Sequence, residues 1–485
     1  MDKMKKNDMK RWIAGSWLLA VLAACTVQEP VADLQLEEAP AIFPDYAGVT
    51  IPATIAPLRF RLLNDSTEAM AVIASEAGRF VVEAQDGQFL LPEKQWKKVV
   101  GQSAGKDVQV TVMVRQQKQW VAYRPFAWHV STDEIDPCLV YRLVEPGYEL
   151  WNKMGIYERQ LSSYDERTLL VNTQFDRNCM NCHSFNQRNP QQFLFHMRDK
   201  RAGTYFVSEG EVKRISGKFG ERVRSLVYPY WHPSGRYVAF STNTTRQAFH
   251  RGAPNRIEVF DLASDVLVYD RERDEVLTDS ALASPAVFET FPTFSPDGKT
   301  LYFCSADTCA MPGEFQKVKY SLCSIGFDAD SKRFLPPVDT LYASTTGGQS
   351  VSFPRVSPDG RYLVYTLSSY GNFSIWHKDA DLYLLDLQTG ESHPLSELNS
   401  NDVESYHSWS SNSRWMVFSS RRLDGLHTRL YLAHIDEQGR PSKPFLLPQA
   451  RPDFYDNYRF SYNIPEIVNG KVELNRRQVL KTSRN

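Results

Sequence analysis

The sequence predicts an all-β protein, an N-terminal β-sandwich followed by a ring of four-stranded sheets. Two observations carry this prediction. Apolar and polar residues alternate over short segments in the first part of the chain, and a turn sequence recurs four times in the second part. With 485 residues, 42% of them hydrophobic, the chain is long enough to form two or three domains with cores of their own.

Residues 1–24 have the pattern of a signal peptide. Five basic residues precede Trp12, and residues 12–24 carry no charge, a stretch too short to span a bilayer. It ends in Leu22-Ala23-Ala24-Cys25, which resembles the lipobox of bacterial lipoproteins. The resemblance implies cleavage before Cys25, acylation of this cysteine and anchoring to the outer membrane, in either leaflet. An ordinary signal peptide with a chance cysteine is the alternative.

Three segments follow the predicted lipidation site. Residues 25–45 are rich in Pro, Ala and acidic side chains, which predicts a tether. Residues 46–144 contain alternating stretches such as 108–114, separated by turn signals, which predicts an antiparallel β-sandwich domain. Residues 145–190 are predicted to be a partly helical connector.

The second half of the chain contains an internal repeat. Its copies begin at residues 228, 291, 353 and 406 and read YPYWHPSGR, FPTFSPDGK, FPRVSPDGR and YHSWSSNSR. Pro presets the first corner of a turn, Asp caps it, and Gly accepts a positive φ, so each copy predicts a β-hairpin turn before an apolar strand. The spacings exceed the roughly 40–50 residues of a four-stranded blade, which indicates inserted loops.

These repeats resemble the Ser-Pro-Asp-Gly repeats of TolB-like propellers, which are related to WD-repeat propellers. The resemblance implies a β-propeller over residues 191–465. A single hairpin cannot bury both of its faces, whereas blades closed into a ring can. Six blades fit best, and five or seven also fit. Residues 466–485 form a basic segment that is predicted to be a loose, solvated tail.

One motif carries recognisable chemistry. Cys179-Met180-Asn181-Cys182-His183 matches the attachment site of c-type haem, in which two thiols bond to the porphyrin and the histidine binds its iron. The whole pattern resembles TolB-like propeller lipoproteins of the Bacteroidetes type that carry such a site, which implies one haem c but no particular activity. A disulfide between the two cysteines, a redox dithiol and half of a zinc site are the alternatives.

With haem bound, His183 is the predicted proximal iron ligand. His196 and Met197 are candidates for the sixth ligand, because both lie in a predicted strand just downstream. Alternation along that strand places Met197 with apolar neighbours and His196 beside Arg198, which would suit a haem propionate. His196 is therefore favoured over Met197.

Other candidate residues have weaker support. His232 and His407 lie at the start of propeller hairpins, and a hydrogen-bonded structural role is the alternative for either of them. Residues 101–105 match the nucleophile elbow of serine hydrolases, but a predicted strand follows where that elbow needs a helix, so they are expected to form a hairpin loop. Pairing within one blade remains open for three cysteines, Cys304, Cys309 and Cys323.

The charge balance excludes one class of partner. Lys and Arg total 56 against 57 Asp and Glu, and no long basic run is present to neutralise nucleic acid. Three hypotheses remain: a haem redox or electron-transfer protein, a propeller that recognises an envelope protein or glycan with the haem structural or absent, and an enzyme using the propeller funnel. The third lacks a catalytic constellation in the sequence.

Overall fold

The computed structural model describes residues 29–64, 68–145, 153–221, 223–250 and 255–484. The predicted signal peptide and Cys25 lie outside these ranges. Within them, strands group into eight sheets and helices are few and short, which confirms the all-β prediction. None of the helices in the described ranges has the length and apolar character needed to cross a membrane.

The N-terminal domain is a sandwich of a seven-stranded and a three-stranded sheet. Its elements are β1 (Leu34–Gln35), β2 (Ile42–Phe43), β3 (Thr50–Pro52), β4 (Phe60–Leu62), β5 (Ala69–Ser75), β6 (Gly78–Glu83), β7 (Gln88–Phe89), α1 (Glu93–Val99), β8 (Lys106–Gln116), β9 (Gln119–Ala122) and β10 (Phe126–Ser131). The small sheet contains β2, β4 and β7. The ring centroids of Trp96 and Trp128 lie 5.3 Å apart in the core, and each indole N–H donates to a backbone carbonyl, so neither buried N–H is left unpaired.

Six four-stranded sheets follow and form the blades of a β-propeller. Blade 1 contains β11 (Cys138–Val144), β12 (Met154–Gln160), β13 (Glu166–Val171) and the C-terminal β34 (Ser461–Val468), and blade 2 contains β14 (Met180–Phe185), β15 (Gln192–Met197), β16 (Gly203–Ser208) and β17 (Glu211–Ile215). Blade 3 contains β18 (Val227–Trp231), β19 (Tyr237–Phe249), β20 (Ile257–Asp270) and β21 (Glu275–Leu277), and blade 4 contains β22 (Val287–Phe294), β23 (Thr300–Asp307), β24 (Ser321–Asp328) and β25 (Arg333–Tyr342). Blade 5 contains β26 (Ser350–Val356), β27 (Tyr362–Ser368), β28 (Asp381–Asp386) and β29 (Ser392–Pro394), and blade 6 contains β30 (Glu404–Trp409), β31 (Trp415–Ser420), β32 (Arg429–His434) and β33 (Phe445–Leu446).

Short helices complete the described chain. The α-helices of this half are α2 (Ser344–Gly347) and α3 (Arg476–Arg484), and the 3₁₀ turns are Asn172–Gln174, Asn186–Arg188, Asp199–Arg201, Phe315–Lys317, Ser374–Trp376 and Phe454–Asp456.

Strands from both ends of the propeller segment close the ring. The C-terminal β34 pairs with β11 and becomes the inner strand of blade 1, next to β14 of blade 2 and β30 of blade 6. Each inner strand contacts the inner strands of its two neighbours, so the ring is continuous. Closure of this kind leaves no inner sheet edge without a neighbour.

Several boundaries differ from the sequence prediction. The tether prediction over residues 25–45 is wrong in part, because β1 and β2 already pair with strands of the sandwich. The partly helical connector predicted over 145–190 contains two 3₁₀ turns but no α-helix among its described residues, and it mainly supplies the strands β12, β13 and β14. Residues 146–152 lie outside the described ranges. The predicted tail contributes to the propeller and ends in α3, whose Val479 is buried. Ring closure explains these differences, because blade 1 needs strands from both sides.

The sandwich and the propeller share a hydrophobic core, which runs from the sandwich into blades 1, 5 and 6. Polar contacts accompany it: the Trp415 indole N–H donates to the Asp133 carbonyl at 3.1 Å, and His434 Nε2 lies 2.6 Å from the Asp133 carboxylate. The N-terminal domain is therefore packed firmly on one side of the ring.

Candidate functional site: the central channel

Each inner strand of the propeller carries a β-bulge at the same place, where its pairing with the next strand shifts register. One residue per blade adopts a φ between 47° and 52° there. This conformation costs a residue other than glycine about 1–2 kcal/mol, so its sixfold repetition is a property of the fold. We call these six residues the axial ring: Cys182, Tyr228, Phe291, Phe353, Tyr406 and Ile464.

The aromatic members of the axial ring meet at the centre of the propeller. Ring centroids of Tyr228 and Phe291 lie 4.3 Å apart, those of Phe291 and Phe353 4.2 Å, and those of Phe353 and Tyr406 4.6 Å. Tyr228 also reaches to 6.1 Å from Phe353, two blades away. The ring thus divides the channel into an upper half, where the inner strands begin, and a lower half, where they end.

The second half of the Cys-x-x-Cys-His motif occupies the blade 2 position of this ring. Cys182 stands where other blades have an aromatic residue or isoleucine, and His183 stands where four blades have proline. His183-Ser184-Phe185 in blade 2 corresponds to His407-Ser408-Trp409 in blade 6. The placement of Cys182-His183 therefore follows from the blade register, whereas Cys179 lies just before strand β14 and outside the repeat.

A covalent haem needs both thiols on one porphyrin edge and the histidine over its iron. Cys179 packs in the core between blades 1 and 2, beside Val140 and Met154, and does not line the channel. Cys182 lies in the axial ring. His183 lines only the lower half of the channel and not the upper half. As arranged, these three groups face different spaces and do not fit one porphyrin.

His183 is nevertheless an unusual side chain. It is 1% exposed, and neither ring nitrogen makes a hydrogen bond of good geometry with any described residue, although backbone at Val140 and Ile464 lies beside the ring. Nε2 is 3.8 Å from a carboxylate oxygen of Glu466. Burial, assisted by the charge of Arg142, lowers the pKa of His183 to about 3, so the imidazole is neutral. A buried ring without partners is a ready ligand or hydrogen-bonding group.

His196 and Met197 lie on opposite faces of β15. Met197 packs in the core with Phe193 and Phe195. His196 lines a side cavity together with Arg198, and its Nδ1 is 3.2 Å from Thr204 Oγ1. Burial lowers the pKa of His196 to about 3.

His232 and His407 have structural partners. His232 bridges two neighbouring blades, with Nε2 3.2 Å from the Gly298 carbonyl. Gly298 has a φ of 75°, and a Cβ there would lie 2.1 Å from that nitrogen. His407 Nε2 lies 2.8 Å from the Val364 carbonyl, while its Nδ1 has no partner in the described chain.

The remaining sequence candidates are structural. Residues 101–105 form the loop between α1 and β8, and the buried Ser103 hydroxyl donates to the Val99 carbonyl at 2.7 Å. All six cysteines in the described ranges are free, and Cys304 and Cys323 belong to different core clusters.

Three arginines that come from three different blade segments gather in the upper half of the channel. Arg142 lies on β11, Arg198 follows β15 and Arg421 follows β31. They line a cavity of about 240 Å³, the upper cavity, which adjoins a side cavity of about 290 Å³. Of the three, only Arg198 was expected from the sequence to lie near a bound group, and Arg142 and Arg421 were not. No local signal marks them, because their blades meet only in the folded ring.

These features define the class of protein: a six-bladed β-propeller whose channel is divided by an aromatic ring and lined by charged side chains. No protein-family model matches the sequence, and no curated protein does.

Solved structures with a similar fold are distant. The tricorn protease matches 77% of this chain at 11% identity and a TM-score of 0.28, and this chain spans only 38% of its length. The periplasmic gluconolactonase of Pseudomonas aeruginosa matches 67% of this chain and 99% of its own at 13% identity and a TM-score of 0.35. A puromycin-hydrolyzing peptidase of Mycobacterium tuberculosis matches 86% of this chain and 57% of its own at 11% identity and a TM-score of 0.34. At these similarities no activity transfers to this protein.

Proposed function

We propose that this protein binds a small anionic ligand with an apolar body in the upper half of its channel. The observation that carries the proposal is the convergence of Arg142, Arg198 and Arg421 on one cavity, where no described carboxylate lies within 4 Å of any of the three guanidinium groups. If the predicted signal peptide and lipid anchor at Cys25 hold, this binding takes place in the bacterial envelope.

Arg421 is the most telling of the three. It is 4% exposed, and its guanidinium carbon lies 3.3 Å from the centroid of the Trp376 ring. Nε and Nη1 donate to the carbonyls of Ile375 and Leu426, but no carboxylate pairs with the group among the described residues. Burial lowers the pKa of Arg421 to about 9. The nearby carboxylates of Asp402 and Asp424 act against this shift without forming a direct ion pair. A buried cation without a direct ion pair is costly, and an anionic ligand would offset that cost.

Residues that line the same cavity carry unpaired polar atoms. Arg142 Nε, Asn181 Oδ1 and Asn463 Oδ1 are buried, line the upper cavity and have no hydrogen-bond partner in the described chain. Buried polar groups nearly always form hydrogen bonds, so three unpaired polar atoms around one cavity favour the binding of a polar ligand there.

The shape and charge of the space fit the proposed ligand class. Aromatic walls come from Phe373, Trp376 and Tyr406. Together the upper and side cavities reach the size range typical of small-molecule sites, about 300–1,000 Å³. Basic groups outnumber the carboxylates that line the two cavities in the described ranges, which are Glu145 and Asp199.

Fluorescence titration with 8-anilinonaphthalene-1-sulfonate, an anionic aromatic probe, tests the proposal. We expect Arg198→Ala to weaken binding about tenfold or more, because a charge-assisted hydrogen bond is worth about 1.5–3 kcal/mol. Arg198 is exposed, so its removal should leave folding intact. Arg333→Ala is the matched control, since Arg333 is exposed on the outer strand β25. Equal affinities of the two variants would contradict the proposal.

A covalent haem in a redox or electron-transfer protein is a second candidate, favoured by one observation: the buried His183 imidazole lacks hydrogen bonds, and the thiols of Cys179 and Cys182 are free. Since Cys179 faces the blade core, attachment would require the segment around it to rearrange. The sequence pattern that implies the haem also implies a TolB-like relationship, which we propose together with it.

Coexpression with haem-maturation factors, followed by intact-mass analysis and haem staining after denaturing electrophoresis, tests this candidate. Haem attachment should add the mass of one porphyrin, and Cys182→Ala should abolish it. Cys304→Ala, another buried free cysteine, is the control and should retain the added mass. An unmodified wild-type chain in a strain that matures other c-type cytochromes would remove the redox candidate and leave the anion-binding proposal untouched.

A further inference from the structure

We infer that the lower half of the channel is a separate site for a small zwitterion of the α-amino acid type. Its lower cavity, about 90 Å³, is lined by two arginines and one glutamate that do not pair with one another. This site is distinct from the anion site proposed for the upper half.

The positive side of the site consists of Arg188 and Arg355. Arg188 Nε donates to the Trp409 carbonyl at 2.7 Å, and Arg355 Nη1 donates to the Pro354 carbonyl at 2.8 Å. The other N–H groups of both guanidinium groups have no acceptor among the described residues. Two planar groups with free donors facing one small space suit a carboxylate.

The acidic side is Glu466 on the inner strand of blade 1, whose pKa burial raises to about 7 while the nearby charges of Arg355 and Arg188 act to lower it. Its Oε2 accepts the backbone N–H of Phe185 at 3.2 Å, which fixes the carboxylate, while Oε1 makes no hydrogen bond and is 3.8 Å from His183 Nε2. Neither arginine lies within 4 Å of it, the range of an ion pair, in the described structure. One carboxylate oxygen is thus available for an ammonium group.

Both signs of charge in one space favour a zwitterion over a simple ion. A bound anion would leave the free oxygen of Glu466 unpaired, and a bound cation would leave both guanidinium groups unpaired, each at a desolvation cost. The lower cavity is well below the size of typical drug-like sites, so the ligand has only a few non-hydrogen atoms. Trp231 and Trp409 form its apolar walls.

The axial ring separates this site from the upper half. Tyr228, Phe353 and Tyr406 line the lower cavity from above and pack against the rest of the ring. Ligands of the two halves should therefore bind independently.

Calorimetric titration of the purified full chain tests the inference with three matched probes. L-alanine carries both charges, propionate lacks the ammonium group, and ethylamine lacks the carboxylate. We expect L-alanine to bind at least tenfold more tightly than either analogue. Glu466→Gln should weaken L-alanine binding at least tenfold and leave propionate binding unchanged, and Arg188→Gln should weaken both.

Arg198→Ala, in the upper half, is the control and should bind L-alanine as the wild type does. It also distinguishes the two proposals, because it alters binding of the anionic fluorescent probe and not of L-alanine. Equal affinity for L-alanine and propionate would overturn the inference in favour of an anion site. Absence of L-alanine binding to a wild-type chain that still binds the fluorescent probe would overturn it outright.

Discussion

Blade 2 and blades 3 to 6 place different side chains at one and the same point of the inner strand. All of them use a β-bulge with a φ near 50°, but blades 3 to 6 fill it with Tyr or Phe and blade 2 fills it with Cys182. The backbone conformation is common to all five, so it does not depend on an aromatic side chain. The aromatic residues are instead a requirement of packing at the propeller axis.

The same comparison separates two parts of the Cys-x-x-Cys-His motif, namely Cys179 and the Cys182-His183 pair. Register alone accounts for where Cys182 and His183 stand, because every blade has a ring residue followed by proline or histidine. Register does not account for Cys179 or for the choice of a thiol at the axis. These two choices, together with the unpaired imidazole of His183, are the features that the haem candidate uses.

The largest expected effect is on stability, and it differs between an aromatic residue of the axial ring and Cys182. Phe353→Ala should lower the free energy of unfolding by about 3–4 kcal/mol, since Phe353 is 3% exposed and touches Phe291 and Tyr406. Cys182→Ala removes one sulfur atom and should cost about 1 kcal/mol or less. Urea unfolding measures both. Phe249→Ala, at a phenylalanine that is 52% exposed, is the control. Similar losses of unfolding free energy in Phe353→Ala and Cys182→Ala would show that the propeller axis is not closed by aromatic packing.

A second prediction concerns the residue after the ring. Burial lowers the pKa of His407 to about 3 from the 6.5 of an unfolded chain. Because the unfolded state then binds more protons, stability falls as pH drops below about 6.5, by about 2 kcal/mol at pH 5 for this group. The substitution His407→Pro introduces the residue that blades 1, 3, 4 and 5 have at this position. It should remove the part of the loss of unfolding free energy at acid pH that His407 causes.

Urea unfolding at pH 7 and pH 5 provides the readout for this substitution. At pH 7 the variant should lose about 1 kcal/mol with the hydrogen bond to Val364. His393→Asn, at an exposed histidine, should keep the wild-type pH dependence. A variant His407→Pro that is as acid-sensitive as the wild type would mean that His407 is not a buried neutral ring.

The smallest expected effect concerns thiol reactivity. Burial raises the pKa of the Cys182 thiol, so little thiolate is present near neutral pH despite the neighbouring arginines. Iodoacetamide at pH 8 should therefore label the partly exposed Cys309 first and Cys182 only on unfolding, as read by peptide mass spectrometry. Denatured protein, in which all thiols react, is the control. Rapid labelling of Cys182 in the native chain would show that the axis is open at blade 2.

Much of the fold was predictable from local pattern. The recurring turn sequences predicted hairpins. Met197 and His196 lie on opposite faces of β15, as the alternation of a strand predicts. Of the partly helical segment expected over residues 145–190, the described residues form two 3₁₀ turns, and the rest is mainly strand. Tertiary pairing overrode weak local propensity there, because β12 pairs with β11 and β13 pairs with β12.

The clusters of charged side chains in the channel could not be predicted from local sequence pattern. Arg142, Arg198 and Arg421 are far apart along the chain, and so are Arg355 and Glu466. The axial ring could have been predicted from the sequence, because the aromatic-proline pairs of three repeats and the Tyr406-His407 pair of the fourth align with Cys182-His183. Only the shared positive φ demonstrates that the alignment is structural.

Sequence alone determined the β class, the repeat and the Cys-x-x-Cys-His spacing, because turn chemistry and alternation act over a few residues. Tertiary structure decided how many blades close the ring, which strand completes blade 1 and which charges share a cavity. These depend on contacts between segments hundreds of residues apart, where the free energy of burying edges and faces outweighs local preference.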